Sequence, residues 1–267
     1  MGIFGHPDFR IIKSRILFSQ TFPNDRLSKP FILLSEVEST NNYAMAKLQS
    51  GLVEPGSCLM AIKQTKGKGQ MGKNWESDPG SNITMSTVIS LAGSEYHPFI
   101  LSASVALACV DLAVEAGIRG AQIKWPNDIY INDRKAGGVL IENLVRAGQP
   151  IWSVIGTGVN VNQTSFPLVG QPATSFLLEK KTDFDPIELA RRLHDHILRR
   201  TSAIATLDPA YLLEEYNGLL YRRGQNTRVR QGNIVFETRI TSVNAAGELV
   251  TTDTMERRFA VGEIVFV

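Results

Sequence analysis

The chain has 267 residues, 43% of them apolar and 20% charged, and 28 Lys and Arg against 26 Asp and Glu leave a net charge of +2. That composition excludes a disordered, collagen-like or coiled-coil polypeptide, and the length allows one or two domains whose core needs neither disulfides nor metal. The charge balance lacks the basic excess of a nucleic-acid binder, and two cysteines, Cys58 and Cys109, rule out a disulfide framework.

Residues 1–30 are weakly patterned and read as an N-terminal strap. They carry no apolar stretch of a secretory leader, so the expected location is cytoplasmic. Phe31-Ile32-Leu33-Leu34 reads as a strand, and Ser39 or Thr40 caps a short helix through Leu48 that Gly51 stops. Strands follow at 57–65 and 82–91, separated by the glycine loop Lys66 to Gly72. Pro98 opens a helix to about Glu115, apolar nearly all round and so expected to be buried. Its longest uncharged apolar run, Phe99 to Val110, is short of the roughly 18 residues of a membrane span. One strand, QIKWPNDIYI, and a second, AGGVLIENLV, are expected on either side of a turn at Asn132-Asp133, with another strand at 151–161. Asp185-Pro186 and Asp208-Pro209 each begin a helix. From Gly224 onward only short strand signals remain. The expected division is therefore residues 1–223 as the main domain and 224–267 as a small all-β barrel.

The loop KGKGQMG formally matches G-x-G-x-x-G through Gly67, Gly69 and Gly72. The turn-forming NWESDPGSN follows it, so no helix N-terminus is available for a pyrophosphate, and a dinucleotide fold is disfavoured. Its glycines still let backbone N–H groups approach an anion, with Lys66, Lys68 and Lys73 adding positive charge; a solvated basic loop is the competing reading. Lys124-Trp125-Pro126-Asn127-Asp128 places polar side chains at a proline kink. Taken alone, Asp128 and Lys135 read first as a surface ion pair on a hairpin, since such pairs are common. Gly156 and Gly158 in one strand point to close packing against backbone or ligand, or simply to sheet packing. His6, His97, His194 and His196 lack metal-ligand spacing and read as surface or cap-adjacent histidines. Neither a nucleophile elbow nor a P-loop is present.

Taken in order, Ser39-Thr40-Asn41-Asn42, Gln64-x-x-Gly67-Lys68-Gly69-x-x-Gly72-x-x-Trp75, Lys124-Trp125-Pro126-Asn127-Asp128, Arg134-Lys135-Ala136-Gly137-Gly138-Val139-Leu140-Ile141-Glu142 and Gly156-x-Gly158-Val159-Asn160 form a set that resembles the biotin protein ligases (biotin–[acetyl-CoA-carboxylase] ligases). The resemblance covers about residues 31–180. It implies an α+β catalytic domain, a mixed sheet with packed helices related to class II aminoacyl-tRNA synthetases, followed by a small C-terminal β-barrel. It also implies a two-step reaction. Biotin and ATP give biotinoyl-AMP, and a lysine of a biotin carboxyl carrier domain then takes the acyl group.

By that resemblance Ser39, Thr40, Asn41, Gln64, Gly67, Lys68, Trp75, Lys135 and Gly138 bind biotin. Lys68, Gln70, Lys73, Lys124, Asn127, Asp128, Lys135 and Asn160 bind the nucleotide. Lys135 and Asp128 act in catalysis. No metal is held by the protein alone; magnesium comes with ATP, with Asp128 as a contact. Where many family members read Gly-Arg-Gly-Arg, this loop reads Gly67-Lys68-Gly69-Gln70. No DNA-binding domain is expected, and so no operator binding. The partner is the carrier domain, with no nucleic acid and no membrane, and the enzyme is a monomer or homodimer. A lipoate or octanoate ligase on the same scaffold, and a non-catalytic biotin-binding regulator, are the competing readings.

Overall fold

The computed structural model describes residues 8–12, 15–20, 30–91, 98–146, 149–167 and 171–267. The chain forms two compact units. One comprises Met1–Gly93 and Gly137–Asp195; the other comprises Ser94–Ala136 and His196–Val267.

The first unit is built on β1 (Asp8–Ile12), β2 (Arg15–Gln20), β3 (Phe31–Val37), α1 (Thr40–Gln49), β4 (Cys58–Gln64) and β5 (Ile83–Ser90). The second unit follows with α2 (Pro98–Glu115), β6 (Ala121–Lys124) and β7 (Asp128–Ile131). The chain returns through β8 (Arg134–Arg146) and β9 (Gln149–Val159), then α3 (Phe176–Lys180) and α4 (Pro186–Ala203). It ends in α5 (Pro209–Gly218), β10 (Asn226–Gln231), β11 (Ile234–Val243), β12 (Leu249–Thr252), β13 (Glu256–Phe259) and β14 (Val265–Phe266).

In the first unit the strands run β1-β2-β3-β4-β5-β9-β8. The sheet is mixed, because β3 and β4 are parallel while β5, β9 and β8 pair antiparallel. The segment expected as a strap thus holds two strands, β1 and β2, and the rest of residues 1–29 lies outside the described residues. α1 turns one stripe, Thr40, Asn41, Ala44 and Leu48, onto the sheet. Ala44 and Leu48 pack there with Leu34, Val37, Leu59, Ala61, Val88 and Val154. The polar end of the stripe is left to build a site.

In the second unit α2 packs on β6, β7 and α5. It is long and apolar enough to cross a membrane by length and composition, and 72% of it is buried. The expected strand QIKWPNDIYI is instead a hairpin, with β6 pairing β7 antiparallel and Lys124 opposite Asp128. Pro126 cannot donate to a ladder, so the strand breaks there, and Trp125-Pro126-Asn127 makes the turn, with a cis bond between Trp125 and Pro126. The turn at Asn132-Asp133 takes positive φ at both residues, 49° and 62°, which side chains that bond locally tolerate.

The terminal strands form an antiparallel sheet in the order β13-β12-β11-β10-β14. No ladder among the described residues joins β13 to β14. What was expected as a barrel is therefore described as a five-stranded sheet.

The two described histidines are not at the surface. His194 and His196 are both buried. His194 Nδ1 lies 3.2 Å from Thr87 Oγ1 and its ring meets Phe31 edge-on. His196 Nε2 lies 2.7 Å from Glu115 Oε2. The aliphatic stripe of α4 hid them, since an imidazole with a hydrogen-bond partner is as much a core residue as a leucine. His6 and His97 lie outside the described residues.

Candidate active site

In the first unit the polar residues of α1 meet the sheet face where side chains are smallest. Ser39 is the N-cap of α1, in extended conformation and without a side-chain capping bond. The Thr40 N–H donates to Gln64 Oε1 at 2.7 Å, and the Thr40 hydroxyl lies 3.1 Å from the same oxygen. Ser86 Oγ on β5 stands 2.8 Å from Thr40 Oγ1 and donates to Asn41 Oδ1 at 2.6 Å. Asn41 Nδ2 donates to the Leu140 carbonyl at 3.3 Å and to Glu142 Oε2 at 2.9 Å. Glu142 Oε1 in turn lies 3.0 Å from Lys68 Nζ. One network thus runs Gln64–Thr40–Ser86–Asn41–Glu142–Lys68. Thr40, Asn41 and Ser86 are buried in it, so each needs its partners.

The glycines explain how Asn41 and Trp75 fit. Ser86, Gly156 and Leu140 lie in one row across β5, β9 and β8; Thr84, Gly158 and Gly138 form the next. A Cβ at Gly156 would sit 2.4 Å from Asn41 Oδ1, and one at Gly158 would sit 2.4 Å from Trp75 Cε2. These glycines therefore serve close approach of side chains to backbone, the first of the two roles expected of them. The buried indole N–H of Trp75 has no hydrogen-bond partner among the described residues.

The glycine loop folds back on itself. The Gly69 N–H donates to the Lys73 carbonyl at 2.7 Å and the Trp75 N–H to the Gly67 carbonyl at 2.9 Å. A Cβ on Gly67 would stand 2.3 Å from the Trp75 carbonyl. A 3-10 turn, Gln70–Gly72, and then extended backbone follow, so no helix opens on this loop. Gln70 is half-buried and Lys73 exposed. Asn160 is buried, and its side-chain amide donates to the Thr174 carbonyl at 3.0 Å. That contact ties β9 to the segment leading into α3.

In the second unit Lys135 Nζ lies 2.6 Å from Asp128 Oδ1, both side chains about a quarter exposed, at 29% and 22%. The ion pair expected on the hairpin is thus present, and it is half-buried. Lys124 is buried. Its amine sits 3.1 Å from Tyr130 Oη, 4.8 Å from the Tyr130 ring and 5.0 Å from the Phe266 ring. Burial, with the Asp128 charge adding to it, pushes the Tyr130 phenol well above its usual range. Trp125 Nε1 donates to the Gly247 carbonyl at 2.9 Å and Tyr216 Oη to the Pro126 carbonyl at 3.0 Å, which fixes the turn that presents buried Asn127. Among the described residues no three His, Cys, Asp or Glu side chains gather as a metal site.

Ser86 is not among the expected site residues, and Glu142 stands in one of the motifs with no role expected of it. Ser86 could have been found from NITMSTVISL, where Thr84 and Ser86 at alternate positions set two small hydroxyls on one face of the strand.

Residues 33–160 match the Biotin/lipoate A/B protein ligase family. The bifunctional ligase/repressor BirA of Escherichia coli is 30% identical over 129 residues, 48% of this chain and 40% of that protein. The match thus spans less than half the length of that curated relative. The biotin–[acetyl-CoA-carboxylase] ligase of Paracoccus denitrificans is 27% identical over 82% of this chain and 92% of its own length. Among solved structures, the biotin protein ligase of Aquifex aeolicus in complex with biotin and ATP superposes with a TM-score of 0.76 at 23% identity, covering 89% of this chain and 98% of that one. That likeness carries the fold, a mixed α+β biotin protein ligase fold. The similarity to the biotin/lipoate A/B protein ligase family thus rests on residues 33–160, just under half of this chain.

Proposed function

We propose that the chain is an ATP-dependent biotin protein ligase that makes biotinoyl-AMP and passes the acyl group to a lysine of a biotin carboxyl carrier domain. The observation that supports this most is the buried network joining Gln64, Thr40, Ser86 and Asn41. It offers fixed donors and acceptors to a small neutral ring system, and a ligand lacking matching groups would leave them unpaired. Ser39 and Gly138 complete that polar, close-packed surface. Trp75 walls the apolar part of the ligand, and its indole N–H supplies one more donor.

In the first step the biotin carboxylate attacks the α-phosphorus of ATP and pyrophosphate leaves. Two anions must meet, so fixed positive charge matters more than a base. Lys135 carries that charge and bridges the carboxylate and the α-phosphate. Asp128 orients Lys135 through their ion pair. Gly67, Lys68 and Gly69 close over the acid and phosphates, while Gln70, Lys73, Lys124, Asn127 and Asn160 serve the nucleotide side. Asp128 would contact a magnesium ion arriving with ATP, and that ion would supply neutralisation of phosphate charge. In the second step the acceptor amine attacks the acyl carbon and AMP leaves; placing the amine beside the mixed anhydride supplies much of the rate. We read residues 224–267 as the counterpart of the family's small barrel domain, and the protein as cytoplasmic.

Incubation with ATP, magnesium, biotin and a purified carrier domain tests this reading. The expected product is one biotin on one carrier lysine, read by peptide mass spectrometry. A carrier unmodified after overnight incubation with folded protein contradicts it.

A further inference from the structure

We infer that Glu142 is the positioning residue of the glycine loop: it fixes Lys68 against the buried network and so sets where the loop stands before any ligand arrives. The inference rests on the ligase reading for its kinetic consequence only.

The two oxygens of Glu142 are divided. Oε2 accepts from Asn41 Nδ2 at 2.9 Å and Oε1 faces Lys68 Nζ at 3.0 Å. The Asn41 amide is itself fixed, by the Leu140 carbonyl and by the bare backbone of Gly156. The carboxylate is therefore oriented from behind by groups that cannot move far. Its second oxygen is presented to the loop. Elsewhere the loop is held at its two ends, by the Lys66 N–H on the Glu38 carbonyl at 2.8 Å and by Trp75 packed across Gly158. Its apolar residue, Met71, is 70% exposed, and Lys66 pairs with Glu38 where both side chains are mostly in water. Between those ends its backbone bonds, Gly69 to Lys73 and Trp75 to Gly67, tie it to itself.

Carboxylate chemistry is required at this place. Both neighbours, the Asn41 amide and the Lys68 ammonium, are donors, and an ionised glutamate accepts from both. A glutamine could accept from one and would turn its own NH2 toward the other. Glu142→Gln thus keeps shape and network while breaking the link to the loop.

Hydrogen exchange of the ligand-free protein tests this directly. Amides from Gly67 to Trp75 should exchange about two- to fivefold faster in Glu142→Gln, the size expected of a half-exposed ion pair. Lys68→Met, a change on the exposed loop that the fold tolerates, should give the same increase, and the double variant should be no faster than either single one. Glu142→Asp should recover part of the protection. In adenylate formation Glu142→Gln should raise the KM for biotin by a larger factor than it lowers kcat. Loop exchange equal to wild type in both single variants, or additive increases in the double variant, overturns the inference. Absence of adenylate with any acid, alongside loop exchange that still depends on Glu142, instead overturns the ligase reading and leaves this one standing.

Discussion

The Trp75 indole lies across Gly158 so closely that a methyl group on that glycine would stand 2.4 Å from Cε2. Gly158 is held by ladders on both sides, opposite Thr84 on β5 and Gly138 on β8, so the backbone cannot yield. The indole must move instead. Gly158→Ala should therefore cost about 1–3 kcal/mol in urea unfolding, as overpacking does. It should also raise the KM for biotin at least tenfold, because the displaced ring walls the ligand. Wild-type values for both would mean that Trp75 takes no part in binding.

Ser86 joins Thr40 to Asn41 at the centre of the buried network. Ser86→Ala leaves Asn41 Oδ1 without its 2.6 Å donor. The expected loss is about 1–3 kcal/mol of stability in denaturant titration, the cost of an unsatisfied buried polar group. Biotin affinity by calorimetry should fall with it. A neutral substitution would show that the network is not what orders this end of α1.

Lys135 and Asp128 are 2.6 Å apart and half-buried. Lys135→Ala should abolish acyl-adenylate formation while the far-ultraviolet circular dichroism stays that of the wild type. Lys135→Ala with Asp128→Ala should recover any stability lost through the unpaired carboxylate and recover none of the adenylate. Normal adenylate from either variant contradicts the role given to Lys135.

Burial pushes the His194 imidazole down to about 4. In the unfolded chain it titrates near its ordinary value of about 6.5. Between these values the unfolded state binds a proton that the folded state refuses. Stability is therefore fully present above about pH 6.5 and declines as the pH falls toward 4, by a total of about 3 kcal/mol from this residue. Urea unfolding at pH 7 and pH 4.5 should show a smaller acid loss, by about 2 kcal/mol, in His194→Asn than in the wild type. Parallel losses would mean that His194 is not the group responsible.

Much of the fold was legible in local signals. Pro98 and Glu115 bound α2, and Asp185-Pro186 and Asp208-Pro209 open α4 and α5, because caps and prolines act within a few residues. What was not legible depends on partners distant in sequence. The break in QIKWPNDIYI could be suspected from Pro126, yet folding into a β6–β7 hairpin required the partners Gly247 and Tyr216 to hold the turn. The burial of His194 required Phe31 and Thr87, neither near it in sequence. The glycines at 156 and 158 announced a close approach, but only the fold names what approaches, Asn41 and Trp75. Ser86 and Glu142 escaped because each works through contacts at separations of 45 residues or more.

Activation of biotin by this chain is open to direct measurement. The purified protein would be incubated with ATP and magnesium and with biotin, lipoate or no acid, and acyl-AMP read by mass spectrometry. Biotinoyl-AMP is expected with biotin, and no adenylate otherwise. Lipoyl-AMP in its place, or no adenylate with either acid from folded protein, would contradict it.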